Sequence, residues 1–445
     1  MTTITAGADA TTLPTPAPTD LPVSDRNRIL IYLGVLVFII GFGAPAGGLI
    51  GGPITFFLKN RLHMGATEVS VFGLVASIPL YLAFVPGFVR DLWNPFGLGD
   101  RGYMIIFGGL CAVAYVVFAL LPATYATLLA ATILLTTIYL FAQGGQTGLG
   151  ATIARQHVMS GQTSTAVNIF QSLATMIPLV AGGYFSDMLE KQPLGQAARV
   201  LFLTGAAIMT FFALYAIWRP KVVYDNVRPE RTAAAFHPLQ DVVRLFRHKP
   251  VYPALGIWML WNFAPGSVTP LTFHLQNTLH ASDDQVTWWN AIFSGCFIPT
   301  YLLYGALCRK VALRKLLFWG TVVAVPQMVP LLFCSSVSVA LIAAAPVGLM
   351  GGVATAAYLD LLIRSCPKGL EGTIIMASNA LYFIIYRLGD QLGTFLYKQS
   401  HNFTVCVIAI TVVYAMILPT LWLVPRRLTS TPDGEAPPGG GFDAD

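Results

Sequence analysis

Arg387 and Asp390 stand three residues apart in an apolar run covering roughly 372–397. That spacing puts both on one face of a helix, where they can pair. A lone charge at the bilayer centre costs roughly 2.5–3.5 kcal/mol, so an ionisable pair at that depth has a reason to be there. Two uses are open. An arginine that binds an anion beside a protonatable aspartate would couple proton movement to solute movement, because protonating Asp390 frees Arg387. A static pair would only hold the helix in register. Asn379, Tyr382 and Tyr386, earlier in the same run, lie at three- and four-residue spacings and share a helix face. Gln143 and Gln146, Asn168 and Gln171, and Asn262 beside Trp258 and Trp261 are further candidates for lining a cavity inside apolar runs. Amides and rings suit a flat, hydrogen-bonding heterocycle or a sugar. They serve equally as glue between helices, at about 0.6 kcal/mol per bond.

The elements that must position these residues are membrane helices. The 445 residues are 55% hydrophobic and 10% charged, against about 25% charged in a soluble chain. The apolar runs are continuous rather than alternating, which disfavours a barrel. Twelve runs are expected: roughly 29–58, 68–89, 103–121, 124–148, 164–186 and 199–218, then 252–274, 286–307, 315–334, 338–363, 372–397 and 403–424. The expected fold is therefore an all-α membrane protein of twelve transmembrane helices in two six-helix halves. The halves are 28–218 and 251–425, joined by a basic linker at 219–250 that carries Arg219, Lys221, Arg228, Arg231, Arg244, Arg247 and Lys249. Residues 1–27 and 426–445 read as disordered tails, the first Thr/Ala/Pro-rich and the second ending in Pro-Pro-Gly-Gly-Gly.

Charge tests this topology. With both termini and the linker in the cytoplasm, 20 of the 26 Lys and Arg fall inside, five fall outside, and Arg387 is within a helix. The net charge of +6 is thus a topology signal, and no nucleic-acid partner is expected. The six cysteines show no metal spacing, and the Gly-rich stretch 41–53 lacks the Gly-Lys-Ser/Thr ending of a phosphate loop. No cofactor or metal is expected. The linker is too short for an ATPase domain, and the seven histidines are scattered. A pump and a membrane enzyme are disfavoured in favour of a secondary transporter.

Charged loops could gate such a transporter. In Gly87-Phe-Val-Arg-Asp91…Asp100-Arg101, Gly87 allows close packing, and Asp91 or Asp100 could cap or pair with a neighbouring helix end. The alternative is a solvated charged turn. The matching loop of the second half, Arg309-Lys-Val-Ala-Leu-Arg314-Lys315, has no acid and is a degenerate counterpart. In the third, Pro367 and Gly369 stop one helix, and Glu371 and Thr373 open the next, where an acid suits the helix dipole. Asp360 and Arg364 sit four apart just before it and read as structural or gating.

The Gly-x-x-x-Asp…Arg loop, between two six-helix halves, resembles the loop joining helices two and three in the major facilitator superfamily. Cys366-Pro-Lys-Gly-Leu-Glu-Gly-Thr373, with Asn379 and Gly389, resembles the folate–biopterin transporter family of that superfamily. Leu313–Trp319 and Trp261–Pro265 fit the same likeness, which is concentrated in 258–395. The loop after the second run is also similar to that of the muropeptide permeases. The resemblance implies a folate- or pterin-like anion as substrate, carried by alternating access between the halves. A muropeptide, a sugar or another organic anion is the alternative. Proton coupling follows from Asp390, and a monomer in a bacterial inner membrane with both termini cytoplasmic is expected.

Overall fold

The computed structural model describes residues 21–64, 66–225 and 247–435. A backbone in hydrocarbon must satisfy its own polar groups, and this sequence does so with helices. Eight helices among the described residues are long and apolar enough to cross a membrane. They supply the third span (Asp100–Ala119), fourth (Tyr125–Gln156), fifth (Ser160–Glu190), sixth (Leu194–Ile217), eighth (Asp283–Leu307), ninth (Leu313–Ala324 running into Val329–Phe333), tenth (Val337–Ser365) and twelfth (Phe403–Ala415 running into Ile417–Thr420).

The other four expected spans are broken or charged. The first is Val23–Phe42, then an irregular Gly/Pro-rich turn, then Gly51–Phe56 and Phe57–Arg61. The second runs through Ala66–Ala76, Ile78–Tyr81 and Phe84–Leu92. The seventh is Val251–Asn262, then a break, then Thr269–Phe273 and His274–Thr278. At that break Gly266 has φ of +105°, and a Cβ there would meet Cys406. Only glycine fits both constraints. The eleventh span, Glu371–Ser400, is one unbroken helix carrying Glu371, Arg387, Asp390 and Lys398.

Two hydrophobic cores form, one per half. Each borrows from the other: Met376 and Ala380 of the eleventh span join the first core, and Ala151 and Ala154 of the fourth join the second. Both exchanges lie toward the end of the bundle that carries the described chain ends, here the termini end. The eleventh span is fully buried from Glu371 to Met376, whereas Arg387, Leu388, Gln391, Leu392, Thr394 and Phe395 are exposed. Phe57–Arg61 and Ala66–Ala76, at the far ends of the first and second spans, pack chiefly within their own half, as Thr269–Phe273 does in the other, so the halves close on each other at the termini end and part toward the opposite end.

The tails differ from the expectation. Helix already covers Val23–Asn27, and residues 1–20 lie outside the described region. At the other end Arg426–Thr429 is helical, and Leu428, Thr429 and Asp433 are buried. Low-complexity composition hid a docked segment whose charged residue has specific partners. Residues 436–445 lie outside the described region, as do the linker's Arg228, Arg231 and Arg244.

Candidate functional site

The eleventh span carries the polar strip where the halves part. Tyr382 and Tyr386 stack with ring centroids 5.6 Å apart, and Arg387 is exposed beside them. Asn379 lies one turn deeper, its amide touching only the Met376 sulfur at 3.9 Å. The expected Arg387–Asp390 pair does not form. The Asp390 carboxylate instead accepts from the Thr269 backbone N–H at 2.9 Å and the Thr269 hydroxyl at 2.8 Å. The break in the seventh span leaves a fresh helix start at Thr269 with free N–H groups, and these claim the acid. Among the described residues no carboxylate lies within ion-pair distance of Arg387, so its guanidinium is available in the opening.

Other expected lining groups divide. Gln143 is partly exposed, while Gln146 is buried in the fourth span. Asn168 donates to the Ser164 carbonyl one turn back, and Asn262 to the Trp258 carbonyl. Gln171 lies against Gly41 of the first span. Trp261 is not a lining residue. It is buried in the second core, stacked on Tyr414 at 4.6 Å and edge-on to Tyr358. Trp258, three residues back on another side of the helix, donates its indole N–H to the Ser378 carbonyl of the eleventh span.

At the termini end the first half caps the eleventh span. Asp91, whose side chain is fully buried, accepts from the Gly372 N–H at 3.2 Å, the Thr373 N–H at 2.6 Å and the Thr373 hydroxyl at 2.6 Å. Arg90 holds Asp91 at 2.6 Å and forks onto Asp100 at 2.5 and 2.6 Å. A fork onto a carboxylate fixes orientation as well as charge. Gly87 makes the approach possible: a Cβ there would stand 2.5 Å from the Gly372 carbonyl oxygen and 2.7 Å from the Met376 Cβ. Glu371, expected to serve its own helix dipole, pairs across the halves with Arg155 at 2.5 Å. Asp91 is thus the interhalf cap, and Asp100 backs it through Arg90. Arg101 plays a different part. Its guanidinium binds the carbonyls of Ala216 and Ile217 and ties down the end of the sixth span, within one half.

A second cluster lies on the other flank. Arg364 is buried in the tenth span, bonded to Asp360 at 2.8 and 3.3 Å and to the Ser160 hydroxyl of the fifth span at 3.0 Å. Tyr304 of the eighth span donates to Asp360 at 2.6 Å. The C-terminal segment completes it. Asp433 accepts from the Gly161 N–H at 3.0 Å, the Gln162 N–H at 3.1 Å and the Gln162 side-chain amide at 3.0 Å. Its own N–H donates to the Cys308 carbonyl at 2.8 Å, and the Gly434 N–H to the Val158 carbonyl at 2.7 Å. Burial, reinforced by the nearby Asp360 charge, pushes the Asp433 carboxyl up to about 6, while Arg364 and the N–H donors pull the other way.

Comparison with known proteins decides the family. Residues 141–389, more than half of the chain, match the family model described as Major Facilitator Superfamily. The chain belongs to the major facilitator superfamily. Solved structures of the superfamily share its fold. One is the transporter FucP in the outward conformation, with TM-score 0.63 and 12% identity over 89% of this chain and 98% of that one. Another is the human organic anion transporter MFSD10 (TETRAN), with TM-score 0.62 and 14% identity over 90% of this chain and all of that one. No curated protein sequence matches the chain. As a superfamily member it is a secondary transporter of a small molecule across a lipid bilayer.

Sequence reasoning missed three members of this transporter's closed end. Arg90 and Arg155 read as topology charges, though Arg90 adjoins the expected acid. Asp433 read as part of a disordered tail, yet Pro432-Asp433-Gly434 is a turn signature.

Proposed function

We propose that this transporter moves a small organic anion by alternating access, with Arg387 as the anion-binding cation. The observation that carries the reading is an exposed arginine in a membrane helix, beside two stacked tyrosines and, among the described residues, with no carboxylate at ion-pair distance. An intramembrane cation without a protein counter-ion favours a ligand that brings one. The tyrosine pair offers faces to a flat ring. A folate- or pterin-like anion suits both features and agrees with the likeness of residues 366–373 to the folate–biopterin transporters. The halves close at the termini end and part at the other, the arrangement of one end state of a rocking cycle.

Proton coupling keeps Asp390 as its candidate by a changed route. Protonation would weaken the Asp390–Thr269 cap and loosen the joint between the seventh and eleventh spans, rather than release Arg387. The test is uptake of radiolabelled folate by purified protein in liposomes, with and without an imposed pH gradient, for wild type, Arg387→Ala and Arg387→Lys. Uptake by wild type, lost in Arg387→Ala and partly kept in Arg387→Lys at equal reconstitution, supports the anion reading. Uptake of an uncharged sugar that survives Arg387→Ala overturns it. Indifference to the pH gradient, with normal transport by Asp390→Asn, removes proton coupling.

A further inference from the structure

The two clusters at the termini end repeat one design. In the first, the second span presents Gly87-x-x-x-Asp91, and Asp91 binds the N–H groups of Gly372 and Thr373 and the Thr373 side chain. In the second, the eighth span presents Gly305-x-x-x-Arg309, and Asp433 binds the N–H groups of Gly161 and Gln162 and the Gln162 side chain. Each recipient glycine is the second residue of its helix, and each helix belongs to the opposite half from the spacing glycine. Gly87 abuts Gly372 and Met376; Gly305 abuts Thr165, and Gly161 abuts Cys308. The first helical residues match as well. Glu371 pairs with Arg155 at the end of the fourth span, and Ser160 with Arg364 at the end of the tenth. What the second half lacks is the acid. Arg309 stands where Asp91 stands in the first half, and a cation cannot accept from helix N–H groups.

We propose that the C-terminal segment is a latch: Asp433 supplies the carboxylate missing from the eighth-to-ninth loop and holds the termini end of the transporter closed. The segment is anchored where the missing acid would have been, since the Asp433 N–H is bonded to the carbonyl of Cys308, the residue before Arg309. Arg364 bonds the Leu428 and Thr431 carbonyls at 3.4 and 3.1 Å and lies 3.7 Å from Asp433, so one buried cation organises the whole segment. Asp433 bonds helix N–H groups of the first half while anchored on the second, so the halves cannot separate at this end without breaking one set of bonds. A device on a segment beyond the last span can also leave without unfolding a span. Opening of this end thereby becomes subject to whatever competes for the tail.

The latch extends the alternating-access reading, but its test does not depend on the solute. Two native thiols report the two clusters separately. Cys308 is buried under the tail, and Cys366 is buried at the loop beside the Asp91 cluster. The experiment measures alkylation of each by a maleimide in reconstituted protein, resolved by mass spectrometry, in wild type, Asp433→Ala and a chain ending at Ser430. Size-exclusion profile and melting temperature show which variants are folded. The expected result is alkylation of both Cys308 and Cys366 at least threefold faster in both variants, because loss of the latch opens the whole end. Faster alkylation of Cys308 alone would mean that the tail covers the site without holding the halves, and it overturns the proposal. Unchanged rates at both thiols in folded Asp433→Ala overturn it also.

Discussion

The caps made by Asp91 and Asp433 use nearly the same donors and differ in what surrounds them. Asp91 lies one residue from the end of a span and shares Arg90 with Asp100. Asp433 lies on a terminal segment, and the cation near it already has a carboxylate partner in Asp360. Removing Asp91 takes a partner at 2.6 Å from Arg90, which keeps Asp100, and uncaps a helix start, whereas Asp433 stands 3.7 Å from its cation. Removing Asp433 uncaps a helix but leaves the Asp360–Arg364 pair intact. The lesson concerns division of labour. The first cap cannot move unless the second span moves, so in the proposed cycle it would break at each opening of this end. The second can dissociate, so it can set how readily the cycle runs.

The largest effect that separates them is therefore expected from Asp91→Ala. Asp91→Ala removes an ion pair at 2.6 Å and a cap worth about 1 kcal/mol, while Arg90 keeps its fork onto Asp100. Transport should fall at least tenfold, and the melting temperature should drop more than in Asp433→Ala. Equal melting temperatures for the two variants would remove the asymmetry. Gly87→Leu comes next. Its side chain meets the Gly372 carbonyl and the Met376 side chain directly, and overpacking of this kind costs about 1–3 kcal/mol. Cys366 should become the more reactive thiol, with Cys308 following less. If Cys366 stays protected in the folded variant, Gly87 is not the point of closest approach.

Much of the architecture was legible because membrane burial writes itself into long apolar runs and into the placement of Lys and Arg. Spacing alone was less reliable within a run. Arg387 and Asp390 could pair by geometry, but a break in the seventh span offered Asp390 better donors at Thr269, and breaks are not visible in hydropathy. Trp258 and Trp261 looked alike in sequence, yet one faces the eleventh span and the other the core. Asp91 was legible from its glycine spacing. Arg90 and Arg155 were not, since the topology rule already explained a basic residue at each place. Asp433 was hidden by its neighbours, because Pro and Gly around it signalled disorder more strongly than they signalled a turn.

Docking of the tail should also depend on pH. Burial and Asp360 raise the docked Asp433 carboxyl to about 6, against about 3.9 in a free chain. A group whose pKa is raised on docking takes up a proton when it docks. Docking is therefore fully favoured below about 4 and weakens as pH rises through 6. From pH 5 to pH 7 the docking constant should fall about tenfold. Asp360, Arg364, Gln162, Tyr304 and Cys308 face this carboxyl from the tenth, fifth and eighth spans, and Arg364 opposes the shift. Hydrogen exchange at Gly161 and Gln162, taken relative to the same amides in an unfolded peptide, is free of the intrinsic pH dependence. That ratio should rise about tenfold between pH 5 and pH 7 in wild type and stay flat in Asp433→Asn. A flat ratio in both would mean that the tail is bound without regard to its charge.

The smallest and most specific effect is a rescue. If Asp433 stands in for an acid lost from the eighth-to-ninth loop, an acid returned to that loop should make the tail partly dispensable. Arg309→Asp places a carboxylate four residues after Gly305, as Asp91 follows Gly87. In an otherwise wild-type chain it should do little, because Asp433 already occupies the Gly161 and Gln162 donors. It also removes one positive charge from a loop that keeps Lys310, Arg314 and Lys315, so topology is preserved. Combined with Asp433→Ala, it should recover a twofold to threefold part of the lost protection of Cys308. The control is Arg309→Ala, which removes the same cation without adding an acceptor. Rescue by Arg309→Asp but not by Arg309→Ala ties the effect to helix capping. Equal rescue by both would trace it to relief of positive charge beside Arg364 and leave the likeness of the two clusters without functional meaning.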